Sequence, residues 1–278
     1  MELKVAAVQL SSGSKVTSNV DQAELLVSEA ADQGAQYVQL PEYFNFLGPF
    51  SGFEGAAEAV PGPTTSRMAE LAKSRALTLH LGSLLERSRE PGKFYNTSVV
   101  IDANGEIVAT YRKIHLFDVN VPEAIVHRES DVIAPGEEIV VANFGAFVLG
   151  LSICFDVRFP ELYRKLALAG ADVIAIPAAF NAITGRAHWD LLVRSRSIEN
   201  HSFVVAAAQV GTTTEGISTY GHSLIVDPWG EVLAESTTDK PEVVTATLDL
   251  SEVARRRAQI AVMDFRRPDV YERPVRVT

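Results

Sequence analysis

The sequence has almost no cysteine, no excess of positive charge and no long apolar run. Cys154 is the single cysteine among 278 residues, so an intrachain disulfide and a cysteine-based metal site are both excluded. The net charge is −10, from 35 acidic and 25 basic residues. Phosphate binding needs a basic face, so nucleic acid is not an expected partner.

Further absences narrow the class of protein. No apolar run approaches the roughly 20 residues of a membrane span, and the N-terminal residues lack the features of a signal peptide. We therefore expect a cytoplasmic protein with no membrane partner. The six histidines show no close ligand spacing, so no metal site is expected.

Short apolar runs alternate with amphipathic stretches along the whole chain. Several runs are apolar at every position, as strands covered on both faces are. Strands outnumber helices by about two to one, which favours two packed sheets with helices outside. No linker or repeat divides the sequence, so residues 1–278 are predicted to form one domain. Strands are predicted at 3–9, 37–40, 78–85, 96–101, 106–110, 139–141, 146–153, 173–177, 203–209, 222–226, 232–235 and 243–249, and helices at 20–33, 64–75, 161–169, 189–200 and 251–257.

Cys154 follows one of these strands and precedes a helix. Such a turn can lift a side chain out of the sheet beside backbone N–H groups, which suits a nucleophile. The alternative is a buried structural cysteine, because free cysteines are among the most buried residues. A nucleophilic cysteine also needs a base and a stabilised oxyanion. No histidine stands in a context that marks it as that base, although a cysteine–histidine hydrolase stays open.

Two other ionisable residues stand near predicted strand ends. Glu42 follows the strand at 37–40, and Lys113 follows the one at 106–110. Either residue alone is equally compatible with a surface ion pair. Together with Cys154 they indicate a site on one rim of a sheet. The least regular stretch, residues 116–135, has a length at which loops are usually functional or mobile.

Three motifs around these positions carry a family resemblance: Leu40-Pro41-Glu42, Tyr111-Arg112-Lys113 and Ile153-Cys154-Phe155-Asp156-Val157-Arg158-Phe159-Pro160-Glu161. Through these motifs, and in their order, the chain resembles the nitrilase, or carbon–nitrogen hydrolase, superfamily. Other shared segments, at 177–180, 187–189, 194–200 and 220–230, extend the resemblance along nearly the whole chain. Within the superfamily the chain is most similar to the branch of deaminated-glutathione amidases and omega-amidases.

This resemblance implies an α/β fold, a four-layer α-β-β-α sandwich of the nitrilase type. It implies Cys154 as nucleophile, Glu42 as general base and Lys113 as the cation at the oxyanion. Glu129 would be a second acidic residue of the site, with Glu123 as the rival position. The implied reaction is hydrolysis of a small carboxylate-bearing amide, deaminated glutathione or an omega-amide of a 2-oxo acid, through a thioester and without a cofactor.

Other activities stay open. The same residues could attack a nitrile, and a catalytically silent binding protein would keep the fold. An N-acyltransferase is a weaker alternative, because such members usually carry membrane segments. The resemblance also implies a homo-oligomer, a dimer or larger, formed through the helix at 161–169 and a C-terminal arm at 261–278.

The implied substrates carry carboxylates, so a second cation is expected in the pocket. Arg158 is the first candidate and Arg186 the second, with a solvated surface position as the alternative for Arg186. Tyr43, Phe155 and Phe180 are expected to contact substrate. Phe155 stands where close relatives often have Tyr, and Arg186 where they often have Pro, so the preferred acyl group can differ from the family norm.

Overall fold

The computed structural model describes residues 1–121 and 125–277. The strands are β1 (Glu2–Gln9), β2 (Tyr37–Gln39), β3 (Thr78–His80), β4 (Leu84–Arg87), β5 (Phe94–Ile101), β6 (Ile107–Arg112), β7 (Asp118–Val121), β8 (Ile125–Arg128), β9 (Val141–Asn143), β10 (Val148–Leu151), β11 (Val173–Ala175), β12 (Phe203–Ala206), β13 (Val210–Thr212), β14 (Ser218–Tyr220), β15 (Leu224–Val226), β16 (Val232–Glu235) and β17 (Glu242–Asp249). The helices are α1 (Val16–Asp32), α2 (Phe53–Ala56), α3 (Pro63–Arg75), α4 (Pro160–Leu168), α5 (Ala182–Asn200), α6 (Ser251–Gln259) and α7 (Pro268–Tyr271), with 3-10 turns at Phe50–Gly52, Glu129–Asp131 and Cys154–Arg158.

Most strands belong to two sheets of similar construction. The first has the order β17-β1-β2-β3-β5-β4, with β6 also paired to β5, and the second has the order β16-β15-β12-β11-β10-β9. In each sheet three central strands run parallel, β1-β2-β3 and β10-β11-β12, and the outer pairs are antiparallel. Strands β7 and β8 form a separate ribbon, as do β13 and β14.

The two sheets pack face to face, and helices cover their outer faces. Alternation along β1 shows this directly, because successive side chains of a strand point to opposite faces. Val5 and Ala7 join the core shared with the second sheet, whereas Ala6 and Val8 join the core formed with α1 and α3. Helices α4 and α5 bury apolar side chains against the second sheet. The predicted four-layer α-β-β-α sandwich is confirmed.

The strand predicted at 78–85 is in fact two strands, β3 and β4, separated by a turn at Gly82. Gly82 has a φ of +63°, and a Cβ there would lie 2.1 Å from the carbonyl oxygen of Pro41. Only glycine tolerates both that conformation and that approach. The turn holds the chain on both sides of Glu42, because the N–H of Ser83 donates to Pro41 O at 3.3 Å and Ser83 Oγ accepts from the N–H of Tyr43 at 3.0 Å.

Other predicted boundaries also differ from the structure. Helix α5 begins at Ala182 rather than at residue 189, because the Asn181 side chain caps it by accepting from the N–H of Ile183 at 2.9 Å. The stretch at 116–135 is not irregular throughout, since it contains the β7–β8 ribbon and a 3-10 turn. Glu123 lies outside the described residues. In the described part of the chain no helix has both the length and the apolar character that crossing a membrane requires.

Candidate active site

The site lies on one rim of the sandwich, where several strands end. Glu42 follows β2 of the first sheet, Lys113 follows β6, and Glu129 follows β8 of the ribbon. Cys154 follows β10 of the second sheet. The carboxyl ends of strands in α/β sheets are common binding positions. The structure thus brings together the four residues that the sequence predicts for the chemistry.

Cys154 occupies a strained turn. Its φ is +46°, a left-handed conformation that a non-glycine residue adopts only when its surroundings hold it there. The N–H of Cys154 donates to Pro177 O at 2.9 Å, and the Asp156 carboxylate accepts from the N–H of Ile153 at 2.8 Å. Among the described residues, the N–H of Phe155 meets no acceptor. The turn therefore presents a side chain and one unused backbone donor together.

Glu42 is buried and both of its carboxylate oxygens accept hydrogen bonds. Oε1 accepts from Lys113 Nζ at 2.8 Å and from Asn96 Nδ2 at 2.9 Å. Oε2 accepts from the backbone N–H of Ala179 at 2.8 Å. Only 2% of Glu42 is exposed. Three donors and no acceptor around a buried carboxyl suit the ionised form, which can only accept.

Glu129 is equally buried and also surrounded by donors. Oε1 accepts from Tyr43 Oη at 2.8 Å, from Lys113 Nζ at 3.2 Å and from Asn96 Nδ2 at 3.3 Å. Oε2 accepts from Lys113 Nζ at 2.9 Å and from the N–H of Phe117 at 2.7 Å. The ammonium group of Lys113 therefore lies between two carboxylates and donates to both.

The charges in this cluster set one another's protonation. Burial, the largest single effect, would raise the pKa of Glu129, but the Lys113 ammonium and the hydrogen bonds from Phe117 and Tyr43 together outweigh it and the pKa is lowered. Burial would lower the pKa of Lys113, but Glu129 and Glu42 outweigh it and the pKa is raised. Burial and the nearby Glu42 carboxylate raise the pKa of Cys154, with Lys113 acting in the opposite direction. The resting state is therefore a thiol beside an ammonium–carboxylate cluster.

A pocket of about 150 Å³ opens above these residues. Its wall is largely aromatic, and the predicted contact residues Tyr43, Phe155 and Phe180 all line it. Five further residues that line the pocket were not predicted from the sequence: Phe46, Phe50, Phe53, Phe117 and His127. The aromatic residues that follow Glu42 were a signal for Phe46, Phe50 and Phe53.

The two candidate arginines differ in position. Arg158 is partly buried, and its guanidinium lies 5.2 Å from the ring centroid of Phe180 and 5.8 Å from that of Phe155. Because both rings line the pocket, Arg158 stands just behind its wall. Arg186 is exposed on α5 and is not part of the wall.

Asn96 is a further residue of the site that was not predicted from the sequence. It lies fully buried on β5 and contacts both carboxylates of the cluster. No signal in the sequence singles it out, because the next two residues of β5, Thr97 and Ser98, are also polar and buried. Within residues 1–121 and 125–277 no group of three or more His, Cys, Asp or Glu side chains is arranged to hold a metal ion.

Comparison with known proteins agrees with this fold. Residues 4–258 match the carbon-nitrogen hydrolase family model. The chain is 40% identical to human omega-amidase NIT2, covering 96% of each chain, and 41% identical to a deaminated glutathione amidase of Synechocystis, covering 94% of this chain and 97% of that one. The crystal structure of Saccharomyces cerevisiae Nit3, a member of branch 10 of the nitrilase superfamily, is 31% identical with a TM-score of 0.84, covering 93% of this chain and 94% of that one.

Fold, site and comparisons define a hydrolase that acts on carbon–nitrogen bonds other than peptide bonds. The chain belongs to the carbon–nitrogen hydrolase family of the nitrilase superfamily.

Replacing Lys113 by Met should lower the free energy of unfolding by about 3–5 kcal/mol at pH 7, because two buried carboxylates lose their counter-charge. In the folded wild-type protein the pKa of Glu129 lies below its ordinary value of 4.5, so its contribution to stability is present from pH 7 down to 4.5 and is lost only as pH falls further. In K113M the ammonium is gone and burial raises the pKa of Glu129 instead. The loss of stability caused by K113M should therefore shrink as pH falls from 7 towards 4.5, because the buried carboxylate of the variant takes up a proton in that range.

Urea unfolding at pH 7 and pH 4.5 measures this difference. The exposed Lys240 provides the control, and K240M should change the free energy of unfolding by no more than about 0.5 kcal/mol. An equal loss for K113M at both pH values would contradict the electrostatic explanation.

Proposed function

We propose that this protein is an amidase that hydrolyses a small carboxylate-bearing amide through a thioester on Cys154. The observation that carries the proposal is the Cys154 thiol beside Glu42, within one buried cluster that also holds Lys113 and Glu129. The names of the relatives support the amide as the reacting group, since they include an omega-amidase and a deaminated glutathione amidase.

In the first half-reaction Glu42 takes the thiol proton while Sγ attacks the amide carbonyl carbon. The negative charge that develops on the carbonyl oxygen is met by the Lys113 ammonium and the N–H of Phe155. One well-placed donor of this kind contributes on the order of 3 kcal/mol. The C–N bond then breaks, Glu42 gives its proton to the leaving nitrogen, and ammonia or an amine departs from the thioester.

In the second half-reaction Glu42 takes a proton from water, whose oxygen attacks the thioester carbonyl. The C–S bond breaks, the carboxylic acid leaves, and the proton returns to sulfur. Because Glu42 is both acceptor and donor, each half-reaction ends with the net charge of the cluster unchanged. Such proton transfers contribute roughly two to four powers of ten to the rate.

The net charge of the cluster supports this proton path. One ammonium and two carboxylates leave one negative charge when Cys154 is a thiol. Losing the thiol proton to solvent would add a second negative charge in a buried place, which is costly. Moving that proton to Glu42 leaves the total unchanged. Glu129, which donates nothing and holds Lys113 and Tyr43, would orient the lysine rather than exchange protons.

The nucleophile is tested by replacing Cys154 with Ala. The wild-type protein should release ammonia from omega-amides of 2-oxo dicarboxylic acids or cleave deaminated glutathione, and C154A should do neither. Intact mass spectrometry after rapid quenching should find an acyl adduct on the wild-type chain alone. Full activity of C154A would refute the nucleophile, and activity on matched nitriles but not on amides would show a nitrilase instead.

Arg158 is our candidate for the group that binds the substrate carboxylate. No carboxylate pairs with it in the described parts of the chain, and its one polar partner is His188 Nδ1 at 3.3 Å. A guanidinium with unused donors behind an aromatic wall suits a planar carboxylate. Arg186, exposed on α5, stays the second candidate.

Replacing Arg158 by Gln should raise KM for a carboxylate-bearing amide by about 10- to 100-fold, because a hydrogen bond between charged groups is lost. The KM of an uncharged amide of similar size should change little. The same measurements on R186Q separate the two candidates. A selective rise in R186Q but not in R158Q would reverse our assignment.

We also propose that residues 1–278 form one domain, with 261–278 as an arm used in self-association. The pairing of β1 with β17 joins the two ends of the family-matching region, which supports a single unit. The arm exposes Phe265, Tyr271, Val275 and Val277 at 65% or more, and α4 exposes Leu168. Large exposed apolar patches usually mark an interface.

Sedimentation velocity of the full chain and of a chain ending at residue 260 tests the arm. We expect a dimer or larger assembly for the full chain and a smaller species for the truncated one, because the arm's apolar side chains would no longer be buried against a second copy. A full-length monomer at micromolar concentration would contradict the proposal.

A cytoplasmic location is a further proposal, supported by a free cysteine that suits a reducing compartment, and cell fractionation checks it. The lack of a nucleic-acid partner stays a prediction from the net charge.

A further inference from the structure

Asn96 links the two carboxylates of the site. Its side-chain Nδ2 lies 2.9 Å from Oε1 of Glu42 and 3.3 Å from Oε1 of Glu129. Its backbone oxygen accepts from the N–H of Lys113 at 2.9 Å. Asn96 therefore contacts three of the four residues proposed to carry the chemistry, although it is fully buried beneath them.

The same two oxygen atoms also receive hydrogen bonds from Lys113 Nζ, at 2.8 Å and 3.2 Å. The Oε1 atoms of Glu42 and Glu129 are thus held together by two shared donors, one charged and one neutral. Like charges in a buried site repel strongly, and a single ammonium balances only one of them. The amide of Asn96 stabilises both carboxylates without changing the net charge of the cluster. A second lysine would change that charge.

The orientation of the Asn96 amide leaves its oxygen without a hydrogen bond to the described residues. In the described parts of the chain, the buried Oδ1 of Asn96 has no hydrogen-bond partner, and an unpaired buried acceptor costs stability. Turning the amide over would place Oδ1 against both carboxylates and would lose both N–H contacts. The observed orientation of the Asn96 amide therefore serves the two hydrogen bonds that its Nδ2 donates.

Other groups face the carboxylate pair from neighbouring elements. They are the thiol of Cys154, the hydroxyl of Tyr43, the ring of His127 on β8, and the backbone N–H groups of Phe117 and Ala179. Each of the hydroxyl and backbone donors reaches one carboxylate. In the part of the structure that is described, only Lys113 and Asn96 donate to both.

We propose that Asn96 is a positioning residue, which holds Glu42 against Cys154 and keeps Glu42 and Glu129 ionised side by side. This inference rests on the proposed function, in which Glu42 must be charged to accept the thiol proton. Hydrogen bonds to the charged form of a carboxyl favour that form. Without Asn96 the pair would take up a proton at higher pH, and Glu42 would turn away from the thiol.

The first test is the pH profile of kcat/KM for amide hydrolysis. Asn96→Leu keeps a similar side-chain shape and removes both donors, and we expect kcat to fall by about 10- to 100-fold with little change in KM. The acid limb of the profile should move to higher pH. If N96L does not fold, Asn96→Ser replaces it as the test variant. Serine is smaller and keeps one donor, so N96S should give an intermediate fall in kcat and an intermediate shift of the acid limb.

Asn200 provides a matched control. It is also fully buried, its Nδ2 donates to Arg196 O at 2.9 Å, and its Oδ1 has no partner in the described chain. It lies at the end of α5, outside the pocket wall. N200L should lose stability but keep the wild-type pH profile. An unshifted acid limb in both N96L and N96S would overturn the inference.

Alkylation of the single cysteine by iodoacetamide provides a readout that needs no amide turnover. N96L should slow modification of Cys154 at pH 7, because the thiol loses a well-placed proton acceptor, whereas N200L should not. If the wild-type protein hydrolyses no amide but alkylation still depends on Asn96, the proposed function is wrong and the positioning role stands. If amides are hydrolysed but neither rate nor alkylation depends on Asn96, the positioning role alone is wrong.

Discussion

The site depends on one interaction, the contact of the Lys113 ammonium with two buried carboxylates. Isolated buried charges are unstable, and breaking one pair leaves an uncompensated charge behind. Lys113 is 2% exposed and donates to both Glu42 and Glu129. The pKa of Lys113 is raised and that of Glu129 is lowered by this contact, so each group stays charged because the other is there. The thiol of Cys154 remains protonated because it is buried and because the Glu42 carboxylate lies beside it.

The fold makes this cluster by joining elements from separate layers. Glu42 comes from the first sheet and Cys154 from the second, so the distance between base and thiol depends on how the sheets pack. Backbone contacts fix each partner locally. The turn at Gly82 holds the chain on both sides of Glu42, and the N–H of Ala179, after β11, binds the Glu42 carboxylate. The α-β-β-α architecture therefore positions the charges as well as burying the core.

Much of this arrangement could be predicted from the sequence, and there are physical reasons why the remaining features could not. Buried strands show as apolar runs, so the two sheets and their helices were found, and Glu42, Lys113 and Cys154 stand in recognisable segments. Asn96 was missed because a hydrogen bond across 54 residues of chain leaves no local pattern. The break at Gly82 depends on the approach of Pro41, which the apolar run does not reveal. The ribbon β7–β8 was missed because only two short strands pair there, and none of the ribbon side chains that the structure describes is fully buried.

Chemistry and substrate preference are carried by different parts of the chain. The charged cluster stands on strand ends and is held by backbone donors and by Asn96, so small changes there disturb several groups at once. The pocket wall comes from connecting segments, with Phe46 and Phe50 after β2, Phe117 and His127 at the ribbon, and Phe180 before α5. The side chains of these segments can change without altering the backbone contacts of the cluster, such as the bond from the N–H of Phe117 to Glu129. Phe155 serves both substrate preference and chemistry, because its side chain lines the pocket and its backbone belongs to the turn that holds Cys154. Its ring can vary between relatives, but its N–H must stay in place.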